Sequence, residues 1–243
     1  MSSDSNVYRV LAFGDSLTEG FHFAGFRYHP CELTKKIRSI QHIQSHSFRL
    51  DATRLAELIS NHCDWVYNGD PNRPNIDVRA GGKSGERVLE GMIERLRKTL
   101  DSVENESRFR WVIILGGIND LSLGAEPERI MGGLRQMYDM VYQHGANLVI
   151  MTVTESGLVK TNDPRDVKRH QLNTLIKNYA WENHFAGGKR TFCVDLDKLI
   201  PWHRPDMAEK KLLWDDHMHL TPRGYDKIAE LIFQVIVDYL NLK

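Results

Sequence analysis

Four short polar clusters in this 243-residue chain carry the side chains that could do chemistry. Gly14-Asp15-Ser16-Leu17-Thr18-Glu19-Gly20 follows an apolar run near the N-terminus. Gly82-Lys83-Ser84-Gly85, Gly116-Gly117-Ile118-Asn119-Asp120 and Trp214-Asp215-Asp216-His217-Met218-His219 come later. A serine at a strand-to-helix turn stands where backbone N–H groups and the positive helix end favour an anion. An ordinary N-cap serine has the same position, so a nucleophilic Ser16 requires a base and a group that orients the base. Asp216-x-x-His219 contains both types: on a turn, a carboxylate three residues before an imidazole can face it, set its tautomer and stabilise its cation. His217 competes as base, but the residue three before it is Trp214, which cannot orient an imidazole. Acyl transfer also builds negative charge on a carbonyl oxygen, and fixed donors must meet it. The candidates are the backbone N–H of Ser16, the backbone N–H of Gly85, where the missing Cβ allows close approach, and the side-chain amide of Asn119. Taken singly, the last two are better explained as a turn glycine and a loop-capping asparagine.

Two other chemistries use similar residues. Asp215, Asp216, His217 and His219 are metal-ligand types, and the chain has eleven histidines. A divalent site needs three or four ligands with a supporting outer shell, and no HExxH or recurring HxH pattern is present. His42 and His46 could share a helix face, as solvent-exposed pairs often do. No metal is therefore expected. Gly82-Lys83-Ser84 resembles the end of a phosphate-binding P-loop, but the glycine required five residues earlier is Asp77.

The clusters are useful only if the fold gathers them. Apolar runs over Tyr8–Phe13, Ile76–Arg79, Trp111–Leu115, Asn147–Thr152 and Thr191–Asp195 predict five strands. Between them, apolar residues recur at helical spacing over Val88–Leu100, Ile130–Val141 and Leu172–Tyr179. The clearest helix follows Thr221-Pro222, an N-cap and a first-turn proline, with Ile228, Leu231, Ile232, Val235, Ile236, Tyr239 and Leu240 on one face. Strands alternating with helices imply an α/β fold with a parallel sheet covered on both faces. Ligands of such sheets bind beyond the carboxyl ends of the strands, and each polar cluster falls after a strand or just before the last helix. The length fits one domain, 1–243. The stretch from about 21 to 69 exceeds one crossover helix, and helical patterns at Leu33–Ile43 and Ser47–Leu58 predict a helical insertion there.

Composition narrows the partners. Thirty-two Lys and Arg balance 32 Asp and Glu, which argues against nucleic acid or an anionic membrane as the main partner. The longest apolar runs, such as Trp111–Leu115 and Leu148–Met151, fall far short of the roughly 20 residues that cross a bilayer. Cys31, Cys63 and Cys193 are too few and too scattered for a disulfide framework, although one bridge and a free thiol are compatible with them. Residues 1–6 have no basic segment followed by an apolar one, so the cytosol is the expected compartment.

GDSLTEG, the G-x-S-G turn at Gly82–Gly85, G-x-N-D at Gly117–Asp120, and D-x-x-H followed by Leu-Thr-Pro-Arg-Gly-Tyr together resemble the GDSL family of the SGNH hydrolase superfamily. The blocks occur in the family's order between residues 14 and 225. The resemblance implies a flavodoxin-like, three-layer α/β/α sandwich with five parallel strands in the order 2-1-3-4-5. It implies Ser16 as nucleophile, His219 as base and Asp216 as its orienter. The oxyanion donors would be the Ser16 and Gly85 N–H groups and Asn119, and no cofactor would be needed. The implied activity is hydrolysis of a small-molecule ester, with acyl transfer and carbohydrate O-deacetylation as alternatives on the same site. Three positions depart from the usual blocks: Ala80 where Asn is common, Lys83 in a slot more often small or apolar, and His217 where Gly is common. For the substrate pocket, Asp15, Phe21 and Trp214 are the candidates. The Phe21–Tyr28 segment would form a floor, and Trp202, His203 and Trp214 a wall, unless these aromatics only pack the insertion onto the core.

Overall fold

Strand β1 (Val7–Gly14) is buried along all but its first residue. Because successive strand side chains point to opposite faces, Val10 and Ala12 enter one core while Leu11 and Phe13 enter another. A strand apolar on both faces must lie inside a sheet that is covered on both sides. In the computed structural model, which describes residues 6–21, 50–104, 107–186, 188–203, 206–240 and 242, β1 pairs in parallel with β2 (Asn75–Gly82) and β3 (Trp111–Ile114). β4 (Asn147–Met151) lies beyond β3, and β6 (Lys189–Val194) beyond β4, again in parallel. The parallel order β2-β1-β3-β4-β6 is the expected 2-1-3-4-5. A two-residue strand not foreseen in the sequence, β5 (Phe185–Ala186), adds an antiparallel edge to β6. It is too short to leave an alternation pattern.

On the Val10 face lie the helices Leu50–Tyr67 and Pro222–Ile236, which bury Leu55, Ile59, Cys63, Tyr225, Ile228 and Ile232 against the sheet. On the Leu11 face lie the helices Met92–Asp101, Pro127–His144 and Pro164–Glu182, with Met92, Leu96, Ile130, Leu134, Leu172 and Ile176 in the second core. Each fully buried side chain of this kind stabilises the fold by roughly 1.5–3 kcal/mol. Trp111, fully buried in mid-sheet, gives its indole N–H to the Tyr8 hydroxyl at 3.0 Å, so the largest core side chain leaves no polar atom unmet. The last long helix starts as the sequence predicts: Thr221 accepts the Gly224 N–H, and Pro222 opens the first turn.

Three boundaries differ from the sequence reading. The helix expected over 47–58 runs from Leu50 to Tyr67, because Ile59 and Cys63 prolong the buried stripe of Ala52 and Leu55. Strand β2 runs past Arg79 to Gly82 because β1 pairs with it residue for residue, up to Gly14 opposite Gly82. The helix expected from Val88 begins only at Met92, since the Val88 and Leu89 N–H groups are held by the Asp120 carboxylate at 2.9 and 3.0 Å. Residues 22–49, including the helix expected over 33–43 and most of the aromatic segment after Phe21, lie outside the described residues, as does Cys31. Cys63 and Cys193 are free thiols. Among the described residues, no helix is long and apolar enough to cross a membrane.

Candidate active site

The site forms at the carboxyl edge of the sheet. Strand β1 ends at Gly14 and passes at once into the one-turn helix α1 (Ser16–Glu19), capped by Asp15, whose Oδ1 accepts the Leu17 N–H at 3.0 Å. This tight exit depends on the end of β2: a Cβ on Gly82 would lie 2.1 Å from the Glu19 backbone nitrogen. Ser16 is thus pinned at the mouth of a turn, only 6% exposed.

The base comes from the opposite end of the chain. His219 Nε2 lies 3.3 Å from Ser16 Oγ, and His219 Nδ1 lies 2.9 Å from Asp216 Oδ2. The other Asp216 oxygen accepts the backbone N–H groups of Met218 at 2.7 Å and His219 at 2.6 Å. Burial raises the pKa of Asp216, but the bonds from the His219 ring and from the two backbone N–H groups outweigh it and hold the carboxyl below its usual range. An anion there keeps the proton on Nδ1, so Nε2 faces the serine as an acceptor. Phe21 closes one side, its ring edge-on to His219 at 4.8 Å and its N–H donating to Ser16 O at 3.0 Å.

Gly85 and Asn119 meet through one residue. The Asn119 side-chain amide donates to the main-chain oxygen of Glu86, directly after Gly85, at 3.0 Å. Its second amide hydrogen remains for another acceptor. Gly85 has φ +73° and no described atom within 4 Å of a would-be Cβ. This backbone conformation favours glycine there.

The other pocket candidates are placed differently. Asp15 is fully buried beneath the turn, a cap and not a surface for ligand. Its pKa is pushed up to about 7 by burial, with the nearby Asp120 carboxylate adding to the effect. Trp214 belongs to the core, 5% exposed, with its indole N–H on Pro201 O at 3.3 Å and Trp202 edge-on at 5.3 Å. Large aromatics before the catalytic segment pack it down because that buries the most apolar area. His217, the rival base, lies beside Trp202 at 5.3 Å between ring centres. Among the described residues, no three His, Cys, Asp or Glu side chains are grouped to hold a metal ion. A cavity of about 240 Å³ adjoins the site, lined by Ile118, Leu121, Val153, Leu158, Val159 and Met218 and equally by Ser122, Thr154, Ser156, Arg165, Asp166 and Arg169. Ile118 precedes Asn119, and Met218 precedes His219.

Sequence reasoning passed over three residues that build the loop after β2. Asp120 holds its backbone as described above. Glu19 accepts the Ser84 N–H at 2.7 Å and also the Ser84 hydroxyl. Arg95 reaches across from the next helix to the Glu86 carboxylate. The first two were visible as acidic members of the motif blocks; Arg95 gave no signal on an otherwise ordinary charged helix face.

A sequence model of the family described as GDSL-like Lipase/Acylhydrolase matches residues 12–227. No curated protein matches the sequence significantly. Among solved structures, the chain is similar to the native M. smegmatis aryl esterase, at 14% identity over 96% of this chain and 100% of that one, with a TM-score of 0.63. It is similar to Est24, a carbohydrate acetylesterase from Sinorhizobium meliloti, at 16% identity over 95% and 99%, with a TM-score of 0.61. A member of the lipolytic protein G-D-S-L family from Veillonella parvula aligns at 17% identity over 95% and 99%, with a TM-score of 0.59. At these identities the structures speak to the fold.

Proposed function

The chain belongs to the GDSL-like lipase/acylhydrolase family, a family of carboxylic ester hydrolases, and from that premise we propose that Ser16 cleaves small or short-chain esters through an acyl-enzyme. The observation that carries the reading is the unbroken line Ser16 Oγ, His219 Nε2, His219 Nδ1, Asp216 Oδ2, with a 3.3 Å link across 203 positions of sequence and a 2.9 Å link within one turn. His219 takes the serine proton as Oγ attacks the ester carbonyl, and Asp216 stabilises the imidazolium. The carbonyl oxygen becomes an oxyanion against the Ser16 and Gly85 N–H groups and the second hydrogen of the Asn119 amide. His219 returns the proton to the departing alcohol, then activates water on the acyl-enzyme. Capping at Asp15 supports this, because its carboxylate fixes the turn that carries Ser16.

The cavity beside Asn119 and His219 is the proposed seat of the acyl group. Its apolar side suits a short aliphatic or aryl chain, and Arg165, Asp166 and Arg169 bring charge to the rest of the lining. The test is a panel of chromogenic esters of increasing acyl length, run beside acetylated sugars and thioesters, with Ser16→Ala as the blank. The substitution should lower kcat by at least ~10³-fold while the far-UV circular dichroism and melting temperature stay unchanged. Near-normal turnover by a folded Ser16→Ala protein would sink the assignment.

A further inference from the structure

One guanidinium ties the ends of the first two strands to the loop that follows the second. Arg95, on the helix Met92–Asp101, donates from Nη2 to the carbonyl of Gly14 at 2.8 Å and from Nη1 to the carbonyl of Gly81 at 2.5 Å. Gly14 is the last residue of β1, two before Ser16, and Gly81 the last but one of β2, four before Gly85. The same guanidinium grips the Glu86 carboxylate, from Nε at 2.7 Å and from Nη2 at 2.6 Å. It lies over the Phe13 ring at 4.0 Å, so its plane has a floor. The Glu86 side chain is 4% exposed, and its main-chain oxygen receives the Asn119 amide at 3.0 Å. Lys83, mostly in solvent, approaches the same carboxylate at 3.4 Å and cannot replace a fork that binds three acceptors at once.

We propose that Arg95, acting through Glu86, is a positioning residue for the reaction: it sets the distance between the Ser16 turn and the Gly85 and Asn119 oxyanion donors. This rests on the serine reading above. Gly14 O also accepts the Lys83 N–H at 3.1 Å, and the guanidinium ties this carbonyl to that of Gly81 on the adjacent strand. Its third arm fixes Glu86, and with Glu86 the Gly85 N–H on one side and the acceptor that orients Asn119 on the other. Arg95 touches neither substrate nor nucleophile. Oxyanion donors act only if preset where charge develops, and a displacement near 1 Å costs about 100-fold. The contribution therefore appears in kcat and not in substrate binding.

The test is a kinetic cycle on the full chain with Arg95→Lys, Asn119→Ala and the double variant. Arg95→Lys keeps the charge but loses the fork. It should lower kcat by about 10- to 100-fold, with KM changed by less than about 3-fold. Because the arginine works through the donors, it should cost far less in the Asn119→Ala background than in the wild-type background. Equal, multiplicative losses in the two backgrounds would overturn the proposal, as would a loss confined to KM. Arg95→Gln with Glu86→Gln removes both charges of the buried pair and provides a folded comparison if the lysine variant is unstable. It should reproduce the kcat loss, and wild-type kcat in that protein would also overturn the proposal. Labelling of Ser16 by a fluorophosphonate in each variant separates the two ideas. Labelling of another residue defeats the serine reading, whereas labelling at Ser16 with a multiplicative cycle defeats only the role of Arg95.

Discussion

The two segments that meet over Ser16 are held by different forces. The loop after β2, from Lys83 to Gly91, is held largely by charge. Glu19 takes Ser84, Asp120 takes the Val88 and Leu89 N–H groups, and Arg95 takes Glu86. The segment Trp214–Leu220, which carries Asp216 and His219, is held by backbone bonds and aromatic packing. A bridge joins Trp214 to Leu220, Gly157 donates to His217 O at 2.7 Å, and Trp202 stacks edge-on against Trp214. The difference follows what each segment must present. Oxyanion donors are N–H groups, which carboxylates and backbone carbonyls can hold in place through neighbouring groups. A histidine base must keep one ring nitrogen open, so its segment is secured from behind by apolar area.

The contrast can be broken from either side. Asp216→Asn leaves the packing behind His219 intact but removes the anion that sets its tautomer, and kcat should fall by about 10⁴-fold at unchanged fold. A rate within tenfold of wild type would show that the histidine is oriented by its packing alone. On the charged side, Asp15 makes stability depend on pH. Its native carboxyl loses its proton near pH 7 while the unfolded one does so near pH 4, so the native state binds more protons in between. Stability from this group is therefore greatest in acid and declines as pH climbs from about 4 to 7, by up to about 4 kcal/mol. Urea unfolding at pH 5 and pH 8 should show that slope, and Asp15→Asn should flatten it. Asn119→Ala should lower kcat by roughly 10²–10³, with KM little changed, if its free amide hydrogen meets the oxyanion. The smallest effect falls on the packed side. Trp202→Ala removes a half-buried indole from Trp214 and Gly157 and should cost about 2 kcal/mol in unfolding free energy.

The legibility of the site differed between the same two segments. Asp216 and His219 were readable because a carboxylate three residues before an imidazole closes within one turn, so spacing alone predicts the contact. Asn119 was readable as a donor, but its partner, the Glu86 carbonyl, was not, since a main-chain atom carries no residue-type signal. The apolar spacing over Val88–Leu100 predicted a helix one turn too long. Val88 and Leu89 do face the core, but Asp120, 31 and 32 residues away, takes their N–H groups before a helix can. For Trp214 the sequence leaves pocket wall and core both open, because an aromatic beside a catalytic segment suits either, and only its burial distinguishes them. Arg95 was invisible for a similar reason: its three acceptors come from residues 9 to 81 positions away.

Residue order by itself determined the alternation of strands and helices, hence a parallel sheet apolar on both faces, and the local motifs whose groups meet within a turn. Those are short-range consequences of periodicity and backbone geometry. Tertiary structure decided which of those groups share one edge: that Ser16 and His219 meet, that Glu86 links Gly85 to Asn119, and that one arginine joins two strand ends to that link. Such contacts join segments far apart in the chain, and they exist only after packing has paid the entropy of bringing the segments together.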